Sequence, residues 1–155
     1  SWKGKSARYH EDFEAISNSL GGCMFNWLSL SLKYNPKQAV QMPDYAPVFA
    51  AATGVELSRE EFCRCAERIV LLEKAFNARV GLRRKDDTLH GRWMNEPCPS
   101  GTGKGMKAED YLEGLLDEYY TARGFDVKTG LPTRETLAKA GLESVAADLE
   151  KRGVI

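Results

Sequence analysis

The chain has 155 residues, 43% hydrophobic and 28% charged, with Lys+Arg and Asp+Glu at 22 each. That length suits one compact domain, the apolar share is too high for a disordered chain, and the zero net charge lacks the basic excess of a nucleic-acid binder. No apolar run reaches membrane-spanning length, no apolar leader follows Ser1, and four cysteines do not make a disulfide scaffold, so a cytoplasmic protein with no membrane or nucleic-acid partner is expected. The opening Ser1-Trp2-Lys3 reads as the interior of something longer, the C-terminal part of a larger protein.

Helical spacing dominates. Tyr9, Phe13, Ile16 and Leu20 fall on one helix face, and Gly21-Gly22 ends that helix. The apolar stretch from Cys23 to Leu28 predicts a short buried helix ending near Pro36. Asp44 is placed to cap a helix over 44–51, with Pro47 in its first turn and Gly54 at its end. Ser58 with Glu61 three residues on forms a capping box, and Phe62, Cys65, Ile69, Leu72 and Phe76 follow as the apolar stripe of a helix stopped by Gly81.

Residues 82–106 are polar and rich in Gly and Pro, which predicts a long loop. Ala108, Leu112, Leu115, Tyr119 and Ala122 mark a further helix closed by Gly124. Thr133 caps a short helix ended by Gly141. Leu142, Val145, Ala146 and Leu149 line a last one ending at Gly153. No alternating run is long enough for a strand, so the expected fold is all-α, a multi-helix array around a single core.

Few residues carry chemistry by themselves. Cys63 and Cys65 are two apart on a helix and point in divergent directions, so they cannot close on one metal; Cys65 falls on the predicted core stripe and Cys63 at its edge. Cys98 reads as an ordinary loop thiol, and His10 and His90 are too few for a histidine metal site. Asp86-Asp87 reads as a solvated turn or cap. Gly101-Thr102-Gly103-Lys104-Gly105 lacks the spacing and the preceding strand of a phosphate-binding loop. Cys23 follows a Gly-Gly break where a ligand can approach the backbone closely, although by itself it reads as a buried free cysteine.

An ordered set of motifs changes that reading. Asn18-Ser19-Leu20-Gly21-Gly22-Cys23 resembles the D-x-x-G-L-C motif of the tungsten-containing aldehyde ferredoxin oxidoreductase family, with Asn18 for Asp and Gly22 for Leu. Ala66-Glu67-Arg68-Ile69 with Phe76-Asn77-Ala78-Arg79-Val80-Gly81 resembles the family's ERI…FN-x-R-x-G helix. Asp86-Asp87-Thr88-Leu89 resembles DDxLP with His90 for Pro, and Glu96-Pro97 its nearby EP. Tyr119-Tyr120-Thr121-Ala122-Arg123-Gly124-Phe125-Asp126 resembles YYxxRGWD, with Phe125 for Trp, and Thr129-Gly130-Leu131-Pro132-Thr133 through Leu142 resembles GxPTxxxLxxLGL.

The resemblance implies that residues 1–155 are the helical C-terminal part of a larger oxidoreductase whose N-terminal, β-rich pterin-binding domain lies outside them. It implies a tungsten bis-pterin and a [4Fe–4S] cluster in the full enzyme, neither held by this part alone, with Cys23 as the fourth cluster ligand and Asn18, Gly21 and Gly22 near the pterin. Asn18 keeps an acceptor and adds a donor but loses the charge of Asp. The implied activity is oxidation of aldehydes to carboxylic acids with electrons passed to ferredoxin or another electron-transfer subunit, the isolated segment being inactive. A class II benzoyl-CoA reductase type of catalytic subunit, or a non-catalytic helical module descended from the family, are the alternatives. Arg68, Arg123, Asp126 and Asp86-Asp87 are expected to bridge segments rather than to act in catalysis.

Overall fold

The computed structural model describes residues 2–23 and 42–155. Among them are seven α-helices: α1 (Lys3–Ser19), α2 (Ala46–Thr53), α3 (Arg59–Arg79), α4 (Gly91–Asn95), α5 (Leu112–Arg123), α6 (Arg134–Lys139) and α7 (Glu143–Lys151). Among the described residues, strand character is confined to an isolated antiparallel bridge between Phe125 and Pro132. The all-α expectation holds. No helix among the described residues is long and apolar enough to cross a membrane. The helix expected from Cys23 to Leu28 lies, from Met24 onward, outside the described residues.

The chain divides into two compact units, Tyr9–Glu73 and Ser1–Arg8 with Lys74–Ile155. In the first, Phe13, Ile16, Tyr45, Ala46, Phe62 and Ala66 form a buried cluster, with Tyr9, Leu20, Phe49, Leu57, Cys63 and Ile69 packed against it. Aromatic rings join its elements: Phe13 lies 6.2 Å from Tyr45, and Phe49 lies 6.0 Å from Phe62. Offset and tilted ring pairs of this kind add to the area they bury.

The helix boundaries follow their sequence signals. At the start of α3 the Ser58 N–H donates to Glu61 Oε2 at 2.8 Å and the Glu61 N–H to Ser58 Oγ at 3.2 Å, so two backbone donors that lack helical partners are satisfied reciprocally. Thr133 Oγ1 accepts from the Thr136 N–H at the start of α6. Five helices end alike: after α1, α3, α5, α6 and α7 a glycine adopts positive φ. Its N–H then reaches back three residues while the next N–H reaches back five, as in Gly21→Asn18 and Gly22→Ser17 or Gly124→Thr121 and Phe125→Tyr120.

Three expectations fail on packing. Asp44 does not cap α2; a 3-10 turn over Met42–Tyr45 precedes the helix, and Asp44 pairs with Arg59 at 3.1 Å instead. On α3 the buried face is Phe62, Ala66, Val70, Leu71, Ala75 and Ala78, whereas Cys65, Leu72 and Phe76 are exposed. The helix is apolar on two faces, and the covered residues mix three large side chains, Phe62, Val70 and Leu71, with the three alanines. The roles of Cys63 and Cys65 are therefore exchanged: Cys63 packs against the core, where burial and the nearby Asp12 push its thiol up. Lastly, residues 82–106 are not one open loop. They contain a 3-10 turn at Arg84–Asp86, helix α4 capped by His90 Nδ1, and a 3-10 turn at Gly101–Gly103.

Candidate functional site

Cys23 sits beyond the C-terminal end of α1, a helix whose last turns are anchored from the inside. Phe13 and Ile16 bury one face of the helix, and Leu20 packs on the same cluster. Ser17 is fully buried and donates its hydroxyl to the Phe13 carbonyl at 2.7 Å. With the final turn anchored, Gly21 reverses the chain at φ +71°, a conformation that costs a residue with a Cβ about 1–2 kcal/mol. A Cβ at Gly21 would meet nothing within 4 Å, so the space above the turn is open and glycine is required there by conformation alone.

The result is an exposed patch: Asn18, Gly21 and Cys23 face solvent and Gly22 is half-buried. The Cys23 thiol is exposed, which corrects the expectation of a buried free cysteine that the residue gives when read alone. The Asn18 carbonyl accepts from Gly21 at 3.1 Å, so the side-chain amide is the group that residue 18 offers outward. No basic residue stands in the last turn of α1, leaving the negative end of the helix dipole uncompensated by its own side chains. Chemically, the patch offers one soft sulfur donor and a carboxamide beside a glycine turn. Among the described residues no cluster of three or more His, Cys, Asp or Glu is able to hold a metal.

Three of the later motif residues, Asp87, Tyr120 and Gly130, meet in the unit containing Lys74–Ile155 and build a latch. Tyr120 is fully buried, and its hydroxyl donates a short hydrogen bond to Asp87 Oδ2. The same carboxylate oxygen receives Lys74 Nζ at 2.8 Å. The Lys74 ammonium and the Arg84 guanidinium lie 5.8 and 5.3 Å from the Tyr120 ring centroid, within cation–π range. Arg84 in turn pairs with Glu113 and Asp117 and donates to the Val127 carbonyl at 2.7 Å. Burial, and then the hydrogen bond to Asp87, pushes the Tyr120 hydroxyl far up, so it stays protonated at any physiological pH.

Gly130 closes the latch: at φ +70° a Cβ there would lie 2.9 Å from Tyr120 and 3.3 Å from the Arg84 backbone. Asp126 accepts from both the N–H and the hydroxyl of Thr129 at 2.7 Å, and the Thr129 hydrogen bonds hold its carboxyl below the usual range. Arg123 is buried, donates to the Arg8 carbonyl at 3.1 Å and lies over Tyr119. Asp87 and Arg123 thus bridge segments, as expected of them, whereas the Asp126 carboxylate acts within its own turn. Asp86 caps the 3-10 turn through the Arg83 N–H at 2.9 Å, while Arg68 is exposed. His90, which stands where the motif has proline, keeps a φ of −54° that proline also adopts.

Two features escaped the sequence reading. Tyr120 was overshadowed by Tyr119, which matched the helical spacing, although Tyr120 is the fully buried ring. Trp93 and its apolar neighbours were read as loop. The glycine-rich segment 101–105 holds no phosphate cradle, because the Lys104, Gly105 and Met106 N–H groups donate to the Gly101, Cys98 and Gly103 carbonyls.

The sequence profile described as "Aldehyde ferredoxin oxidoreductase, domains 2 & 3" matches residues 1–142. The tungsten-containing aldehyde ferredoxin oxidoreductase of Pyrococcus furiosus is 32% identical over 133 residues, which is 85% of this chain and 20% of that protein. The Pyrococcus abyssi enzyme of the same name is 33% identical over 134 residues, 86% of this chain and 20% of that protein. Among solved structures, the active-site complex BamBC of benzoyl coenzyme A reductase with 1,5-dienoyl-CoA is similar at a TM-score of 0.73 and 30% identity, over 95% of this chain and 20% of that one. The chain thus spans about a fifth of the length of these relatives. A profile match over most of its length and relatives 32–33% identical over 85–86% of it place this chain in the aldehyde ferredoxin oxidoreductase family, in the region of domains 2 and 3.

Proposed function

We propose that this chain is part of a tungstopterin, iron–sulfur oxidoreductase that converts aldehydes to carboxylic acids, and that Cys23 supplies the fourth thiolate of its [4Fe–4S] cluster. The observation that carries the proposal is the placement of Cys23: exposed, one residue beyond a turn whose helix is anchored in a core. A cluster ligand needs a thiolate held at a fixed position yet accessible to iron, and four cysteines are the usual set. The other three ligands come from a part of the enzyme outside this chain, and electrons leave to ferredoxin or to another electron-transfer subunit.

When bound, the tungstopterin and the cluster supply the two-electron oxidation and the one-electron relay. The chain's own contribution is positional. The α1 core anchors the turn that precedes Cys23, Gly21 and Gly22 add no side chains beside it, and the Asn18 amide offers both a donor and an acceptor to the pterin. The name of the BamBC complex favours a second reading, a reductive catalytic subunit acting on an aromatic acyl-CoA, because that complex covers 95% of the chain. Both readings share the cluster role of Cys23. A cytoplasmic location accords with either.

Metal analysis of the full-length enzyme tests the proposal. Iron and tungsten in stoichiometric amount are expected, together with loss of cluster iron in Cys23→Ala and retention in Cys65→Ala. Full-length protein free of both metals would establish the non-catalytic module instead. Turnover of an aldehyde against turnover of an aromatic acyl-CoA separates the two enzymatic readings.

A further inference from the structure

In the unit formed by Ser1–Arg8 and Lys74–Ile155 lies a concave cavity of about 780 Å³. Leu89, Trp93, Cys98, Met106, Tyr111 and Leu115 line it. Five of these are large apolar side chains left in water, Trp93 at 72% exposure the most extreme. Single exposed apolar residues are ordinary, but five gathered around one concavity mark a surface that something covers. The floor is preformed: the Cys98 N–H donates to the Met106 carbonyl at 2.9 Å and the Gly105 N–H to the Cys98 carbonyl at 2.8 Å. Gly103, with no side chain, faces both the Cys98 and Met106 sulfurs and keeps the floor clear.

The two cations at the rim are already matched. Arg92 pairs with Glu96 at 3.0 Å and Lys107 with Glu109 at 3.0 Å. The rim therefore selects an uncharged occupant, since a charged one gains no counter-ion there to offset its desolvation. Trp93, Tyr111 and Leu89 on its wall are 72%, 48% and 47% exposed, an apolar area that a polypeptide segment laid across the cavity covers together with the floor. The relatives supply such a segment, because this chain accounts for only 20% of their length.

We propose that this cavity is a socket for an uncharged apolar segment of the remainder of the enzyme, with an aliphatic or aromatic side chain of that segment filling it. The inference rests on the reading that this chain is part of a larger enzyme, and it is independent of whether Cys23 ligates iron. Cys98, exposed on the cavity wall, is a built-in reporter, because thiol reactivity follows exposure.

Full-length enzyme is treated with N-ethylmaleimide under native conditions, and modification of Cys98 is followed by peptide mass spectrometry alongside iron content. Docking predicts that Cys98 reacts roughly tenfold or more slowly than in the same enzyme unfolded by denaturant. Trp93→Asp, a change at a highly exposed position, is expected to restore rapid labelling, and Leu115→Asp to do the same. Labelling at the unfolded rate in enzyme that retains its iron overturns the socket and leaves the Cys23 reading standing. Slow labelling in enzyme devoid of iron does the reverse. Protection that disappears on dilution, which marks a second copy, or that tracks a small molecule released on unfolding, also overturns the socket.

Discussion

The end of α1 and the Asp87–Tyr120 latch both carry family motifs, yet they differ in almost every physical respect. At the latch, a buried ring is gripped by Lys74, Arg84, Asp87 and Gly130, and each polar group has a partner within this chain. At the α1 end, the helix is anchored by its core while Asn18, Gly21 and Cys23 are exposed. Groups that complete one another inside a chain stabilise it. Groups held rigidly but left incomplete are available to something that arrives later. A motif alone does not separate these roles; burial and partner inventory do.

The contrast is open to attack by substitution. The largest effect on folding is expected from Tyr120→Ala, which removes a fully buried ring and leaves Asp87 and Lys74 with a partner fewer; a loss of about 3–5 kcal/mol should appear in denaturant unfolding. Gly130→Ala should cost about 2 kcal/mol or more, since it forces a left-handed φ and sets a Cβ against Tyr120. Ser58→Ala, which breaks the capping box of α3, should cost about 1 kcal/mol. In the chain without bound metal, Cys23→Ala should change stability by less than about 0.5 kcal/mol, as for a surface residue without internal partners in a network. A large loss from Cys23→Ala, or a negligible one from Tyr120→Ala, would erase the distinction between the two regions.

Acid sharpens it further. The Asp126 carboxyl is held below its ordinary value by Thr129, so it contributes stability above the unfolded carboxylate range that is lost as pH falls through its folded value. The Asp86 carboxyl, lowered by the Arg83 N–H, behaves in the same sense. Stability measured from neutral pH downward should therefore decline below about pH 4, where carboxylates of ordinary affinity take up protons. Thr129→Val should flatten that decline.

Much of the helical architecture was legible because its signals are local. Ser58 with Glu61, Thr133 and the glycines at 21, 81, 124, 141 and 153 act through hydrogen bonds within five residues, so spacing along the chain determines them. Which face of a helix is buried depends on what lies across from it. Helix α3 carries apolar side chains on two faces, and the sequence could not say that Ala66, Ala75 and Ala78 would be covered while Leu72 and Phe76 would not. Tyr120 was hidden for the same reason: its partners Asp87 and Gly130 are distant in sequence. Position 23 became legible through the ordered motifs, while the anchoring of α1 beneath it is tertiary information.

The most direct test of the central claim is the electron paramagnetic resonance of dithionite-reduced full-length enzyme in which Cys23 is replaced by Ala, set beside a Cys98→Ala control. The account predicts that the signal of an intact four-iron cluster and its full iron content persist in the control and are lost in the Cys23 variant. An unaltered signal and unaltered iron in Cys23→Ala would contradict it.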